Sequence, residues 1–170
     1  MIRSENLIQG ILSYARVDKE AAVDEEVDVN AIIEEIKENI SARPGIAIVI
    51  KEKLPVLHTE MLPLMQVFSN LISNAVKYHN RPSGKIQIYS KDEGSHYRFF
   101  VQDDGPGIAQ NHFNKIFVIF QTLQERDSFE STGVGLAIVK KILDARKETI
   151  NVESEVGKGS TFSFTWSKNN

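Results

Sequence analysis

Asn70, Asn74 and Lys77 stand at i, i+4 and i+7, a spacing that puts them on one stripe of a helix. Two amides and an ammonium suit a metal-bound phosphate. An amide oxygen can ligate Mg²⁺, an ion that keeps several waters and takes phosphate oxygens as other ligands. A solvated helix face would accommodate any one of these residues, but Asn is a poor mid-helix residue, and two at this spacing lower helix stability for no structural return. A second cluster lies in the run Arg98-Phe99-Phe100-Val101-Gln102-Asp103-Asp104-Gly105-Pro106-Gly107-Ile108. Tyr97, Phe99, Val101 and Asp103 alternate along a strand, so Asp103 ends an apolar row. A carboxylate there is costly unless it meets a donor. Ionised, it accepts only, so it would pair with an exocyclic amine such as adenine's and repel guanine's carbonyl. The plainer reading is that Asp103 and Asp104 open a turn. Gly105 and Gly107 would let the backbone pass close to a ligand.

A third segment, Ser131-Thr132-Gly133-Val134-Gly135-Leu136, runs into a helix. Glycines ahead of a helix N-terminus present free N–H groups and a positive dipole end to phosphate; alone the pattern is weak, and an ordinary helix start explains it. The P-loop pattern is absent, and the third glycine of a dinucleotide fingerprint is missing after Gly135. Phe117 and Phe120 precede a polar, unpatterned stretch at 121–132. Such a stretch reads as a lid with a buried anchor, or as two core rings followed by a solvated loop. His58, His79, His96 and His112 have no metal-ligand spacing and read as surface or structural residues.

These groups need elements to hold them. Leu7, Ile8, Ile11, Leu12 and Ala15 make a helix of residues 1–16 with a stripe wide enough to pack on something else. The charged residues 17–26 read as a linker. Asn30 would cap a second helix carrying Ile32, Ile33, Ile36 and Ile40, stopped at Arg43-Pro44-Gly45. Residues 46–51 are a β-branched strand. A long helix spans about 60–78, with Pro63 in its first turn and Leu64, Val67, Phe68, Leu71, Ile72, Ala75 and Val76 buried. Strands at 85–91 and 97–103 form a hairpin about Asp92-Glu93-Gly94. A short helix covers 111–118, another helix 134–146, and strands 149–155 and 160–166 flank Gly157-Lys158-Gly159. In the last strand Phe162, Phe164 and Trp166 alternate with Thr161, Ser163 and Thr165, so one face is buried and the other wet. The fold class is α+β: a two-layer sandwich whose mixed, mostly antiparallel sheet carries helices on one face, preceded by an N-terminal helix.

Length and composition agree. A chain of 170 residues is one domain with at most a short appendage, and hides about 70% of its unfolded surface. The absence of cysteine excludes a disulfide scaffold, a thiolate zinc site and a cysteine nucleophile. Twenty basic against 23 acidic side chains, net −3, argue against a nucleic-acid-coating surface. No secretory signal pattern opens the chain, and its densest apolar stretch, residues 45–50, is far too short to cross a bilayer; a cytoplasmic location is the expectation, with any membrane attachment lying in other parts of a longer parent.

Together these segments resemble the ATP-binding catalytic domain of sensor histidine kinases, in the superfamily shared with gyrase, Hsp90 and MutL. Residues 70–78 resemble the N box, 103–108 the G1 box, 116–120 the F box, 133–140 the G2 box and 157–162 the last glycine motif. Five motifs in the family's order are far more specific than any one. The resemblance covers 27–166, and residues 1–17 look like the end of the second helix of the family's dimerisation hairpin; the domains would be 1–26 for hairpin end and linker, and 27–170 for the catalytic domain.

The resemblance implies a Bergerat-type ATP site. In it Asn74 would ligate Mg²⁺ with Asn70 close by, and Lys77 and Tyr78 would contact phosphate and ribose. Asp103 would accept from the adenine amine, in a pocket shaped by Gly105, Gly107 and Ile108. Phe120 and Thr132 would bound the lid, Gly133, Val134, Gly135 and Leu136 would hold the phosphates, and Thr161 would close the adenine side. It implies transfer of the γ-phosphoryl to a histidine on the dimerisation domain, then to a response regulator receiver domain, with a homodimeric parent. Asn70, Asn74 and Lys77 would carry the catalysis, by positioning and charge neutralisation. The departures are Ser131 for the first G2 glycine, Thr122 for an arginine that Arg126 would replace, and Lys147-Glu148 for a glycine pair. None of the four histidines has the acceptor's context, so the chain reads as a fragment of a longer kinase. The rival readings are an ATP-hydrolysing conformational clamp, which would need a glutamate base where Asn70 stands, and a nucleotide-gated scaffold without kinase activity.

Overall fold

The computed structural model describes residues 2–16, 23–40, 43–119 and 133–169. In chain order the elements are α1 (Ile2–Arg16), β1 (Asp24–Asp28), α2 (Val29–Asn39), β2 (Ile46–Ile50), β3 (Val56–Glu60), α3 (Met61–Lys77), β4 (Gly84–Asp92), β5 (His96–Asp103), a 3-10 turn (Gln110–His112), α4 (Gly135–Ala145), β6 (Ile150–Glu155) and β7 (Gly159–Ser167). The main sheet runs β2-β4-β5-β7-β6. Its β2–β4 pair is parallel and the other pairs are antiparallel, the mixed sheet expected from the pattern.

The core forms where the helical period of α3 meets the two-residue period of β5 and β7. Leu64, Val67, Phe68, Leu71, Ile72 and Val76 are buried on α3. Phe68 meets the ring edges of Phe99 at 5.3 Å and Phe164 at 5.2 Å, geometries that aromatic pairs favour. Phe99 and Val101 thus face the helices, while Phe100 turns to the other face and stacks on Tyr89 at 4.6 Å.

Four expectations require correction. Residues 24–26, expected to be linker, open β1, which pairs antiparallel with β3 in a separate two-stranded sheet; β3 itself takes the residues just before the long helix, which begins at Met61. Asp28, not Asn30, caps α2: its Oδ1 accepts the Asn30 N–H at 2.9 Å, while the Asn30 amide bridges the backbone of Leu54. The helix expected at 111–118 is a 3-10 turn followed by irregular turns to Ile119. Finally, Ser163 and Thr165, expected to be wet, are buried. β7 is flanked on both sides, and Thr165 Oγ1 donates to Glu148 at 2.6 Å while accepting the Thr149 N–H at 2.9 Å.

Candidate active site

The stripe on α3 borders the buried face, so Asn70, Asn74 and Lys77 look into a cavity of about 1410 Å³ rather than into the core. Asn70 Nδ2 donates to the Gln66 carbonyl at 2.8 Å, which points its Oδ1 the other way. A Cβ placed on Gly135 would meet Asn70 Oδ1 at 3.1 Å and Asn74 Oδ1 at 3.7 Å. Two amide oxygens therefore converge on the first turn of α4. That turn carries no acidic residue, and among the described residues no side chain caps it, which suits its N–H groups to an anion. The oxygens fit a hard cation such as Mg²⁺ bound jointly with phosphate.

Asp103 lines the same cavity. Its strand pairs it with Ser160 of β7, and its Oδ1 accepts the Gly105 N–H at 2.9 Å. Burial pushes its carboxyl above the ordinary aspartate range; the Gly105 and Ser160 amides and nearby His79 pull only part of the way back. The cavity wall also includes Tyr78, Gly107, Ile108, Gly133, Val134 and Leu136, so most of the expected site residues meet at one place.

Gly105 and Thr161 do not line it. Gly105 is needed for a different contact: a Cβ there would meet Asp103 Oδ1 at 2.9 Å, spoiling the amide's approach to the carboxylate. Gly107 (φ +72) approaches the Glu155 carbonyl, which a Cβ would meet at 2.1 Å, so its close contact is with β6. Thr161 is on the wrong side of β7, and its neighbours Ser160 and Phe162 line the cavity instead. The alternation of that strand suffices to choose Ser160. Its hydroxyl lies 2.8 Å from Ser154 Oγ, which also accepts the Ile108 N–H at 2.7 Å, so the β6–β7 hairpin braces the loop after Asp103. Phe117 is anchored edge-on to Phe162. Phe120 and Thr132, with Thr122, Arg126 and Ser131, lie outside the described residues.

Three further features have no signal in the sequence. Gln9, Gly10, Ser13 and Arg16 of α1 border the cavity. His112 and Lys115 do so from the segment before Phe117. His79 is enclosed and bonded to Asp104, through a pairing that no periodicity predicts. Among the described residues, no helix is long and apolar enough to cross a membrane.

Residues 59–170 match the family described as histidine kinase-, DNA gyrase B- and HSP90-like ATPases. The phytochrome-like protein Cph1 of Synechocystis sp. is 40% identical over 164 residues, covering 95% of this chain and 22% of Cph1. The chain spans about a fifth of the length of the curated relatives it matches. Full-length ShkA, solved in complex with AMPPNP, superposes with a TM-score of 0.77 at 28% identity, over 94% of this chain and 34% of ShkA. The catalytic domain of the histidine kinase ThkA gives 0.70 at 27% identity, over 86% of this chain and 96% of that one. The mixed sheet, the motif order and these likenesses agree: the chain belongs to the histidine kinase-, DNA gyrase B- and HSP90-like ATPase family, among its histidine kinase catalytic domains.

Proposed function

We propose that this domain binds ATP with Mg²⁺ and, in a longer homodimeric parent working in the cytoplasm, passes the γ-phosphoryl to a histidine on a dimerisation hairpin. A P–N bond forms to the imidazole as the bridging P–O bond breaks and ADP leaves; the phosphoryl then moves to an aspartate of a response regulator receiver domain. The observation that carries this reading is one cavity lined by Asp103 and by Asn70 and Asn74, whose amide oxygens face α4.

Asp103 accepts from the adenine amine, assisted by its buried setting, where a hydrogen bond to a charged group counts for more. Asn74, with Asn70 beside it, holds Mg²⁺, which neutralises phosphate charge when bound. Lys77 and Tyr78 contact the phosphates and ribose, and residues 133–136 present the α4 N-terminus to phosphate oxygens. Such a site works by positioning and charge neutralisation. An amide at Asn70 cannot take a proton from water, which favours phosphoryl transfer over hydrolysis.

Isothermal titration with ATP tests this directly. Asp103→Asn should keep the fold and lose roughly 10- to 100-fold in ATP affinity, as expected when a charge-assisted bond is removed. Asn74→Ala should abolish the gain in affinity that Mg²⁺ gives the unaltered chain. Wild-type affinity in folded Asp103→Asn, or an undiminished Mg²⁺ increment in Asn74→Ala, would refute the respective role.

A further inference from the structure

We propose that His79 is a positioning residue for purine recognition, acting through Asp104 to fix the Asp103 carboxylate relative to α3. The inference rests on the nucleotide reading above. Two residues past the end of α3, the His79 side chain is 0% exposed. Its Nδ1 accepts the Arg81 N–H at 3.3 Å, leaving Nε2–H to donate to Asp104 Oδ1 at 2.8 Å. The same oxygen accepts the Lys85 N–H at 2.9 Å, and the Arg43 guanidinium donates to the His79 carbonyl. Burial pushes the Asp104 carboxyl up, but the His79 and Lys85 donors outweigh it and hold it below the ordinary range.

Four stretches of chain therefore meet around His79 and Asp104: the loop before β2 through the His79 carbonyl, the segment after α3, the start of β4 and the residue after β5. The backbone makes room for it at Gly84, where a Cβ would meet Nε2 at 2.1 Å and Asp104 Oδ1 at 2.7 Å. A histidine that merely filled space would need neither the oriented donor nor that clearance. The consequence lies next door. α3 carries the phosphate end of the cavity, and Asp103, adjoining Asp104, carries the base end. The His79–Asp104 bond spans the joint between them. Adenine and guanine differ by an amine and a carbonyl where Asp103 points, and discrimination by one carboxylate needs its position held to well within about 1 Å.

The experiment measures ATP and GTP affinity by calorimetry for the unaltered chain, Asp104→Ala, His79→Leu, the double variant and His79→Gln, with thermal midpoints alongside. Each single variant should lose roughly tenfold in ATP affinity while GTP changes less, so the ATP-to-GTP ratio falls. The double variant should be no weaker than Asp104→Ala alone, because both single changes remove the His79–Asp104 bond and Asp104→Ala also removes the Lys85 acceptor. His79→Gln, whose amide can donate where Nε2 did, should recover most of the ratio. A lowered thermal midpoint with an unchanged ratio would mark His79 as purely structural and overturn the proposal, as would additive losses in the double variant. Asp104 is half-exposed, so Asp104→Ala decides the matter even should His79→Leu not fold. Failure of the unaltered chain to bind ATP would instead overturn the nucleotide reading itself.

Discussion

Asp103 shows how a binding residue stands in tension with stability. Its carboxyl is raised by burial, so the folded, nucleotide-free protein holds an ionised group that water would solvate better. A group whose folded pKa exceeds its unfolded value contributes full stability below the unfolded pKa, and that contribution is lost as pH rises through the folded one. Asp103→Asn, which keeps an oxygen for the Gly105 N–H, should therefore unfold at a higher temperature than the unaltered protein at pH 7. The gap should close as pH falls toward the unfolded value of 3.8. A variant less stable than wild type at pH 7 would mean the carboxylate's bonds outweigh its desolvation. Asp103 and the Asn70/Asn74/Lys77 stripe are legible in the sequence because periods of two and 3.6 project residues onto faces. By the same rule Ser160, not the expected Thr161, shares the cavity side of β7. His79 and Asp104 are 25 positions apart, just beyond the ends of α3 and β5, and only the tertiary fold joins them.

At the scale of elements, legibility follows hydrophobic burial. α3 and the β4–β5 hairpin bury continuous faces and are readable nearly to their ends. β1 buries Val27 alone among charged neighbours, so it shows no alternation; its pairing with β3 holds it, and pairing leaves no local mark. At the turn after α4, the family resemblance places a glycine pair where the chain has Lys147-Glu148, which predicts a different turn. Lys147 instead adopts φ +58, the left-handed conformation natural to glycine, which a Cβ disfavours and which commonly ends a helix at glycine. Lys147→Gly should stabilise the domain by roughly 1 kcal/mol, read from the urea midpoint at an unchanged slope. The Lys147 N–H, which donates to the Asp144 carbonyl at 3.0 Å, is kept by glycine. A neutral or destabilising result would mean that unfolded-state freedom cancels the relieved strain.

Over the whole molecule, α1 is the element whose placement the sequence leaves open. It turns Gly10 onto Val134, where a Cβ would sit 3.4 Å from the valine side chain. Its Tyr14 carbonyl accepts from Lys141 Nζ at 2.9 Å, with the same ammonium 4.3 Å from the Tyr14 ring centroid. Ile8, Ile11 and Leu12, part of the stripe expected to pack on something outside this chain, lie 55%, 42% and 42% exposed, and among the described residues α1 is held mainly by its contacts with α4. α1 and α4 border one cavity, and a ligand there that binds better to the docked arrangement must also favour docking. ATP should therefore slow amide hydrogen exchange in residues 5–16 of the unaltered protein, and Lys141→Ala should speed it. The same variant should weaken ATP binding roughly threefold to tenfold, the scale of one lost cation–π contact and one hydrogen bond. Exchange in α1 that ATP leaves unchanged would show that the helix and the nucleotide site are uncoupled, and Lys141→Ala should then bind ATP like wild type.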